Sequence, residues 1–191
     1  MSADVSENIG RIEVIHGCMF SGKSSQLLDR LIAAADDGRS VRAFKHRADN
    51  RYASGEIVTH DGRHASAIGV TQASTLLDRV DAGDFVVVDE AQFFSDDLVG
   101  VCQALAARGC EVVVAGLDLD SWNLPFGHIL ALAEVADEVV QLHTRCAQCG
   151  DVADCTQRLT DVAGANMIGG PESYEPRCRQ CFVPPPLALR C

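Results

Sequence analysis

The residues best suited to chemistry form one continuous segment near the start of the chain, GCMFSGKS at positions 17–24. This segment fits the phosphate-binding pattern G-x-x-x-x-G-K-[ST] in full. Gly17 and Gly22 allow the backbone to bend tightly, so that several N–H groups face one point and bind phosphate oxygens. Lys23 can place its ammonium group between the β- and γ-phosphates, and the Ser24 hydroxyl can bind Mg²⁺. The apolar run before the segment and the helical leucine spacing after it favour nucleotide triphosphate binding over a glycine turn with a solvated lysine.

Two adjacent carboxylates end the apolar run within DFVVVDE, positions 84–90. Such a run predicts a buried parallel strand, and ligands of open α/β sheets bind at the carboxyl ends of the strands. An aspartate in the position of Asp89 commonly supports Mg²⁺, directly or through water. Glu90 points to the other face of the strand and can activate a nucleophile. Two solvated acids would be the default interpretation without the phosphate loop; with it, we expect metal-binding and catalytic roles.

Four of the nine cysteines form two pairs, Cys146 with Cys149 and Cys178 with Cys181. Their spacing, C-x2-C-x28-C-x2-C, predicts a tetrahedral zinc site of four thiolates. We prefer a metal to disulfides because the chain has no secretory leader. Four thiolates leave no open position on the metal, so the zinc is expected to be structural and to close the polar, glycine-rich loop 150–177.

These groups must be positioned by a repeated alternation of strand and helix patterns, which predicts a parallel α/β sheet of the P-loop NTPase type with helices on both faces. The composition changes after His143, and a small zinc-ribbon or lasso domain is expected there. We divide the chain into a disordered N-terminus (1–10), a nucleotide-binding domain (11–143), a zinc-binding domain (144–182) and a flexible tail (183–191).

Several element boundaries follow from local signals. Gly38 suits a left-handed cap at the end of the first helix, and Asp61-Gly62 suits a hairpin turn. Thr71 is expected to cap a short helix that runs through Val80. A further helix is expected to start at Ser95 and to stop at Gly109.

Composition limits the partners. The formal net charge is −11, with no basic block, which counts against a nucleic-acid partner. No run approaches the roughly 18 apolar residues of a membrane span, so no membrane association is expected. The N-terminus lacks a secretory pattern, and we expect a cytoplasmic protein.

The motifs taken together resemble the type II thymidine kinase family over about residues 11–182. The quoted motifs are the segment 17–24, Asp89-Glu90-Ala91-Gln92-Phe93-Phe94, Gly116-Leu117-Asp118, Pro125-Phe126-Gly127, Ile168-Gly169-Gly170 and the two cysteine pairs. Their order along the chain is that of the family. The resemblance implies transfer of the γ-phosphate of ATP to the 5′-hydroxyl of thymidine, with Mg²⁺ and a structural Zn²⁺, and with deoxyuridine as a possible second substrate.

The resemblance also assigns roles to individual residues. Glu90 corresponds to the general base, and Arg51 to an arginine that steadies the transferring phosphoryl group. Lys23 and the loop amides would hold the phosphates, with Ser24 and Asp89 serving Mg²⁺. The implied nucleotide-binding set is Gly17, Cys18, Met19, Phe20, Ser21, Gly22, Lys23, Ser24, Asp89, Glu90, Ala91 and Gln92.

The loop closed by zinc would cover the thymine base and bind it mainly through backbone groups, with Tyr174 on the sugar side. The implied nucleoside-binding set is Met19, Phe93, Leu117, Ser121, Phe126, Thr156, Ala165, Asn166, Met167, Ile168, Gly169 and Tyr174. Ser121 departs from the family pattern, which usually has an aromatic residue stacked on the base there. Either the neighbouring Trp122 takes that role or the pocket is looser.

Members of the family are usually homotetramers inhibited by thymidine triphosphate, and we expect both properties. Two other functions are compatible with a phosphate loop and a cysteine cluster. One is a P-loop ATPase whose zinc ribbon acts on nucleic acid, which the acidic composition disfavours. The other is a nucleotide-binding regulator without catalysis, in which Glu90 would have no role.

Overall fold

The structure is a computed structural model, and it describes residues 10–49, 55–59, 62–160 and 168–190. Within these residues the twelve strands are β1 Arg11–Gly17, β2 Val41–His46, β3 Glu56–Val58, β4 His64–Ser66, β5 Ile68–Val70, β6 Phe85–Asp89, β7 Glu111–Gly116, β8 Glu138–Leu142, β9 Thr144–Arg145, β10 Val152–Ala153, β11 Cys155–Arg158 and β12 Tyr174–Arg177. The α-helices of the described ranges are α1 Lys23–Asp36, α2 Asp97–Ala107 and α3 Ile129–Val135. Short 3₁₀ helices span Ala73–Asp78, Ala91–Phe93 and Leu187–Leu189.

Six of the strands form one sheet in the order β5-β2-β6-β7-β1-β8, and every neighbouring pair is parallel. Strands β6 and β7 lie in the middle, where both of their faces are covered. Their nearly continuous valine runs explain this position, because a strand buried on both faces has no polar side to show. The predicted parallel α/β sheet is confirmed.

The two faces of the sheet pack against different helices. Val86 and Val88 of β6 belong to a core cluster with α2 and α3 residues such as Leu98 and Ile129. Val87 points the other way and packs in a second cluster that includes Leu27 of α1. Side chains alternate between faces along a strand, so one apolar strand supplies both clusters. Helices on both faces are therefore confirmed.

The parallel arrangement brings the carboxyl ends of β1, β2, β6 and β7 to one edge of the sheet. In the pairing register Lys45 of β2 stands beside Asp89 of β6, and His16 of β1 stands beside Gly116 of β7. The phosphate loop leaves this edge directly after Gly17. The groups that the sequence singled out for nucleotide chemistry thus share one edge.

Some boundaries agree with the sequence and others do not. Gly38 has φ +74°, and Gly62 has φ +84° in the turn between the antiparallel strands β3 and β4, as the turn chemistry predicted; Asp61 lies outside the described residues. The prediction that Thr71 caps a helix was wrong, because the element is a 3₁₀ helix that begins after Gln72 with no side-chain cap. Helix α2 begins two residues after Ser95, whose hydroxyl donates to the Asp97 carboxylate at 2.7 Å.

The cysteine-rich part contains two small antiparallel pairs, β9 with β10 and β11 with β12. The segment after it, predicted to be a flexible tail, is described to residue 190 and contacts the loop that follows β7. Of the predicted disordered N-terminus only Gly10 is described, and its N–H donates to the Ala106 carbonyl at 3.1 Å. No helix among the described residues has the length and apolar character needed to cross a lipid bilayer.

Candidate active site

The phosphate loop owes its shape to two glycines. Gly17 has φ +146°, and a Cβ there would lie 2.3 Å from the Leu142 carbonyl oxygen of β8. Gly22 has φ +89° immediately before α1 starts at Lys23. Residues with a Cβ rarely adopt either backbone conformation, so glycine is required at both positions. Ser21 Oγ is buried in this loop without a hydrogen-bond partner among the described residues, as expected of a donor whose acceptor is an anion.

Lys23 is held in the loop that it serves. Its Nζ donates to the Cys18 carbonyl at 2.7 Å. Burial lowers the pKa of Lys23, and the nearby carboxylates of Glu90 and Asp89 oppose that effect. A phosphate group would supply the compensating negative charge that the buried ammonium needs. The contact with Cys18 uses the backbone carbonyl, so the residue type at position 18 does not alter it.

Ser24 and Asp89 form the pair predicted to serve Mg²⁺. Ser24 Oγ donates to Asp89 Oδ2 at 3.2 Å. Burial raises the pKa of Asp89, while the Glu90 backbone N–H at 2.9 Å and the Lys45 and Lys23 charges lower it. A serine hydroxyl beside a carboxylate offers the hard oxygen ligands that Mg²⁺ takes, so these residues fit the ion.

Glu90 is positioned by Gln92. The Glu90 backbone has φ +55°, in the left-handed region, and such backbone strain is concentrated at functional sites. Gln92 Nε2 donates to Glu90 Oε2 at 2.6 Å, and Gln92 Oε1 accepts the Leu117 backbone N–H at 3.0 Å. Gln92 therefore fixes the carboxylate relative to the loop after β7. Ala91, in contrast, is fully buried in the core behind the site.

These groups open into one cleft at the carboxyl edge of the sheet. The described residues that line it are Met19, Phe20, Gly22, Lys23, Ser24, Ser25, Lys45, Asp49, Val58, Asp89, Glu90, Gly116, Leu117, Gly170 and Pro171. The cleft thus joins the phosphate loop and the acidic pair to Gly170 and Pro171 of the cysteine-rich part. Two substrates, one at the loop and one near Glu90, would share it.

Two charged residues of this cleft, Lys45 and Asp49, were not among the site residues predicted from sequence. Lys45 Nζ lies 2.7 Å from Asp49 Oδ2, and both side chains are almost fully buried. The signal was present in the sequence, since a lysine near the end of an otherwise apolar strand needs a partner if the strand is buried. Asp49, four residues further along the chain, is that partner.

Several of the residues predicted to bind the nucleoside lie close together. Met19, Leu117 and Tyr174 form a buried cluster with Phe20 and Phe126 packed against it. The rings of Phe93 and Phe126 meet edge to face at 5.7 Å. Thr156 Oγ1 accepts the Met19 backbone N–H at 3.0 Å, which ties the phosphate loop to β11.

Gly169 lies beside Tyr174, since a Cβ on this glycine would be 3.0 Å from the tyrosine ring. Ile168, next to it, is 38% exposed. Four residues named by the resemblance, Arg51, Ala165, Asn166 and Met167, lie outside the described residues.

Ser121 does not line the described cleft. Its side chain is fully buried, and its Oγ has no hydrogen-bond partner within the described residues. Trp122 is also buried, with the Arg158 guanidinium 4.6 Å from its ring and with Nε1 donating to the Pro186 carbonyl at 3.3 Å. The local sequence carried no signal for these partners.

The four paired cysteines meet as predicted. The Sγ atoms of Cys146, Cys149, Cys178 and Cys181 all lie within 4.8 Å of one another. A tetrahedron of thiolates around zinc has Zn–S bonds of about 2.3 Å and hence S–S edges of about 3.8 Å, so the cluster fits such an ion. Although burial favours the neutral thiol, backbone N–H groups of Cys178, Cys149 and Gln148 lower the pKa of Cys146 to about 6. The Asp151 backbone N–H favours the thiolate of Cys149, but burial and hydrogen bonds with the other three thiols raise the pKa of Cys149 to about 12.

A phosphate loop at the start of a helix, a serine–aspartate pair and a positioned glutamate at the carboxyl edge of a parallel sheet define a P-loop nucleotide-binding protein. Residues 10–182 match the family model described as thymidine kinase. Together with the similarities given below, this match shows that the chain belongs to the thymidine kinase family.

Curated relatives agree over most of the chain. The thymidine kinase of Rhodothermus sp. (strain ITI 518) is 44% identical over 178 residues, which are 93% of this chain and 84% of the relative. The thymidine kinase of Bacteroides fragilis (strain ATCC 25285) is 40% identical over 91% of this chain and 87% of its own. That of Bacteroides thetaiotaomicron is 39% identical, with the same coverage of both chains.

Proposed function

We propose that the protein transfers the γ-phosphate of ATP to the 5′-hydroxyl of thymidine. The observation that carries this proposal is the Glu90 carboxylate, held by Gln92 at 2.6 Å within the cleft that also contains Lys23, Ser24 and Asp89. A general base in this position can remove the proton of a hydroxyl group that accepts the phosphoryl group. The family membership and the relatives' names supply thymidine as the acceptor.

Each residue has a defined part in the transfer. The loop amides and Lys23 bind the phosphates of ATP, and Ser24 and Asp89 hold Mg²⁺, which when bound neutralises phosphate charge. Glu90 takes the proton of the 5′-hydroxyl while a bond forms between the 5′-oxygen and the γ-phosphorus. The bond from that phosphorus to ADP breaks, and ADP leaves with its electron pair. Positioning and charge neutralisation lower the barrier.

Further parts of the proposal rest on the family resemblance. Arg51 would steady the transferring phosphoryl group, and the backbone of residues 165–169 would bind the base. Zn²⁺ bound by the four cysteines would hold the chain on both sides of that segment. We also propose a cytoplasmic homotetramer inhibited by thymidine triphosphate; none of the eight described cysteines forms a disulfide, which is compatible with a reducing compartment.

The test is phosphoryl transfer from labelled ATP in the presence of Mg²⁺. Thymidine, deoxyuridine, deoxycytidine and deoxyadenosine are offered in parallel, and single-stranded DNA is added in a further reaction as a stimulant of ATP hydrolysis. We expect thymidine monophosphate as the main product. ATP turnover that rises with DNA, with no nucleoside product, would replace the kinase by a nucleic-acid-dependent ATPase. Light scattering and titration with thymidine triphosphate test the assembly and the inhibition.

A further inference from the structure

The segment of residues 183–190, here called the proline segment, is bound to two separate parts of the structure. At its start, Val183 exchanges two backbone hydrogen bonds with the Gln157 side chain of β11, at 2.8 and 2.9 Å. Further on, the Pro186 carbonyl accepts from Trp122 Nε1, and Arg190 Nε donates to Asp120 Oδ2 at 2.9 Å. The proline segment therefore connects β11 with the loop that follows β7.

Asp120 organises that loop. Its Oδ1 accepts the backbone N–H groups of Trp122 at 2.9 Å and Leu124 at 3.0 Å. Its side chain is fully buried, whereas the side chain of its partner Arg190 is 38% exposed. A buried carboxylate needs a compensating charge, and Arg190 supplies it from the proline segment.

Trp122 extends the connection toward the nucleoside cluster. The Arg158 guanidinium lies 4.6 Å from the Trp122 ring and 5.8 Å from the Tyr174 ring, so it stands between the two aromatics. Tyr174 packs with Met19 and Leu117 in the cluster predicted to receive the nucleoside. Leu117 lies only a few residues before Asp120, on the same loop.

We propose that the proline segment positions the nucleoside side of the cleft. Arg190 and the Pro186 carbonyl hold the loop 117–126 against Arg158 and Tyr174 and thereby set the affinity for the nucleoside. Asp120, Trp122 and Arg190 are positioning residues, because they act through Leu117 and Tyr174. The phosphate loop and the Ser24–Asp89 pair are held mainly by β1, β6 and α1. The loop also contacts β11 through Thr156, but Arg190 and the Pro186 carbonyl bind the loop after β7, so ATP binding depends little on these two groups. This inference rests on the proposed function.

The test combines a spectroscopic and a kinetic measurement. Trp122 is the single tryptophan of the sequence, so its emission reports directly on the contact. One variant lacks residues 183–191, and a second, Arg190→Gln, removes only the charge. Leu187→Ser is the matched control, because Leu187 lies in the same segment with 70% exposure. Circular dichroism and thermal unfolding identify any variant that fails to fold.

We expect Trp122 emission to shift to the red and acrylamide quenching to rise in the deletion variant. In Arg190→Gln, KM for thymidine should rise roughly 5-fold, the loss expected for a partly exposed charged hydrogen bond. The KM for ATP and kcat should stay within about twofold, and Arg190→Lys should recover part of the loss. Leu187→Ser should match the unchanged protein in every measurement.

A double-variant comparison isolates the ion pair. Asp120→Asn keeps an oxygen for the Trp122 and Leu124 N–H groups but removes the buried charge. In that background Arg190→Gln should add little to KM for thymidine, because no uncompensated carboxylate remains.

Unchanged quenching of Trp122 in the deletion variant would overturn the proposal, because the contact would then be absent in solution. An exposed Trp122 with an unchanged KM for thymidine would overturn the positioning role. If the unchanged protein does not phosphorylate thymidine, the proposed function fails and the nucleoside assignment with it. The fluorescence result still decides in that case whether the proline segment binds the loop.

Discussion

Replacing Glu90 by glutamine tests the proposed chemistry with the least structural change. Glutamine has the same shape, and its side-chain oxygen can still accept the hydrogen bond that Gln92 Nε2 donates at 2.6 Å. The strained backbone at φ +55° is present in both proteins and does not affect the comparison. The variant therefore lacks the capacity to accept a proton from the 5′-hydroxyl, together with one of the negative charges near Lys23.

The expected loss of kcat follows from the contribution that a positioned general base makes to the reaction rate. Such a group contributes typically about 10²- to 10⁴-fold to the rate, or about 3 to 5 kcal/mol of barrier. We therefore expect the Glu90→Gln substitution to lower kcat by a factor within this range. The affinity for ATP should change by less than about twofold, because Lys23 and the loop amides are untouched.

The assay measures single-turnover phosphoryl transfer from labelled ATP to thymidine, and calorimetry measures ATP binding to the same preparations. Glu134→Gln, on an exposed position of α3, is the matched control and should retain full activity. A Glu90→Gln variant with kcat within about tenfold of the unchanged protein would refute the assignment of the base. A parallel loss of ATP affinity would instead place Glu90 among the groups that bind the nucleotide.

Three further predictions concern the metal, the missed ion pair and pH. Cys146→Ser should release zinc, measured by atomic absorption, and weaken thymidine binding; normal thymidine affinity in zinc-free protein would contradict the structural role of the metal. Lys45→Met should lower the free energy of unfolding in urea by on the order of 3 kcal/mol, because it removes a charged partner of the buried Asp49 carboxylate. Lys45→Met with Asp49→Leu should recover part of that loss, and an additive double variant would disprove the coupling. Although burial of Asp84 favours its neutral form, hydrogen bonds from Ser40 and the Asp81 backbone and the Arg42 charge leave its pKa below the usual value. The ionised Asp84 carboxylate therefore stabilises the fold above its unfolded-state pKa, and this stabilisation is lost as pH falls through the lower folded-state pKa. The free energy of unfolding should drop between about pH 5 and pH 2, and it should drop less steeply in Asp84→Asn. An identical pH profile of the two proteins would contradict this.

The parts of the site that could be predicted from sequence are those built from neighbouring residues. The glycines, Lys23 and Ser24 lie within eight consecutive positions, and their chemistry needs only that loop and the helix after it. The strand before Asp89 was recognisable because a strand covered on both faces is apolar along its whole length. The cysteine pairs were recognisable because two-residue spacing lets one tight turn supply two thiolates.

The errors and omissions have a different physical origin. Thr71 has the side chain of a helix cap, but no side-chain hydrogen bond caps the 3₁₀ helix that begins beyond Gln72. Ser121 and Trp122 were considered as candidates for contact with the base, and no local pattern indicated the buried positions in which the structure places both. Lys45 was missed because its burial depends on the neighbouring strand and on Asp49.

The sequence by itself determined which chemical groups the protein carries and in which order they follow along the chain: a phosphate loop, an acidic pair after a buried strand, and four thiols in two turns. Only the tertiary structure decided which distant partners meet. Met19 and Thr156 are 137 residues apart, and Asp120 and Arg190 are 70 apart. Such contacts follow from the way whole elements pack, and packing depends on the combined shape and burial of many side chains. No local pattern encodes that result, so the contacts of Thr156 with the phosphate loop and of Arg190 with the loop after β7 became visible only in the folded chain.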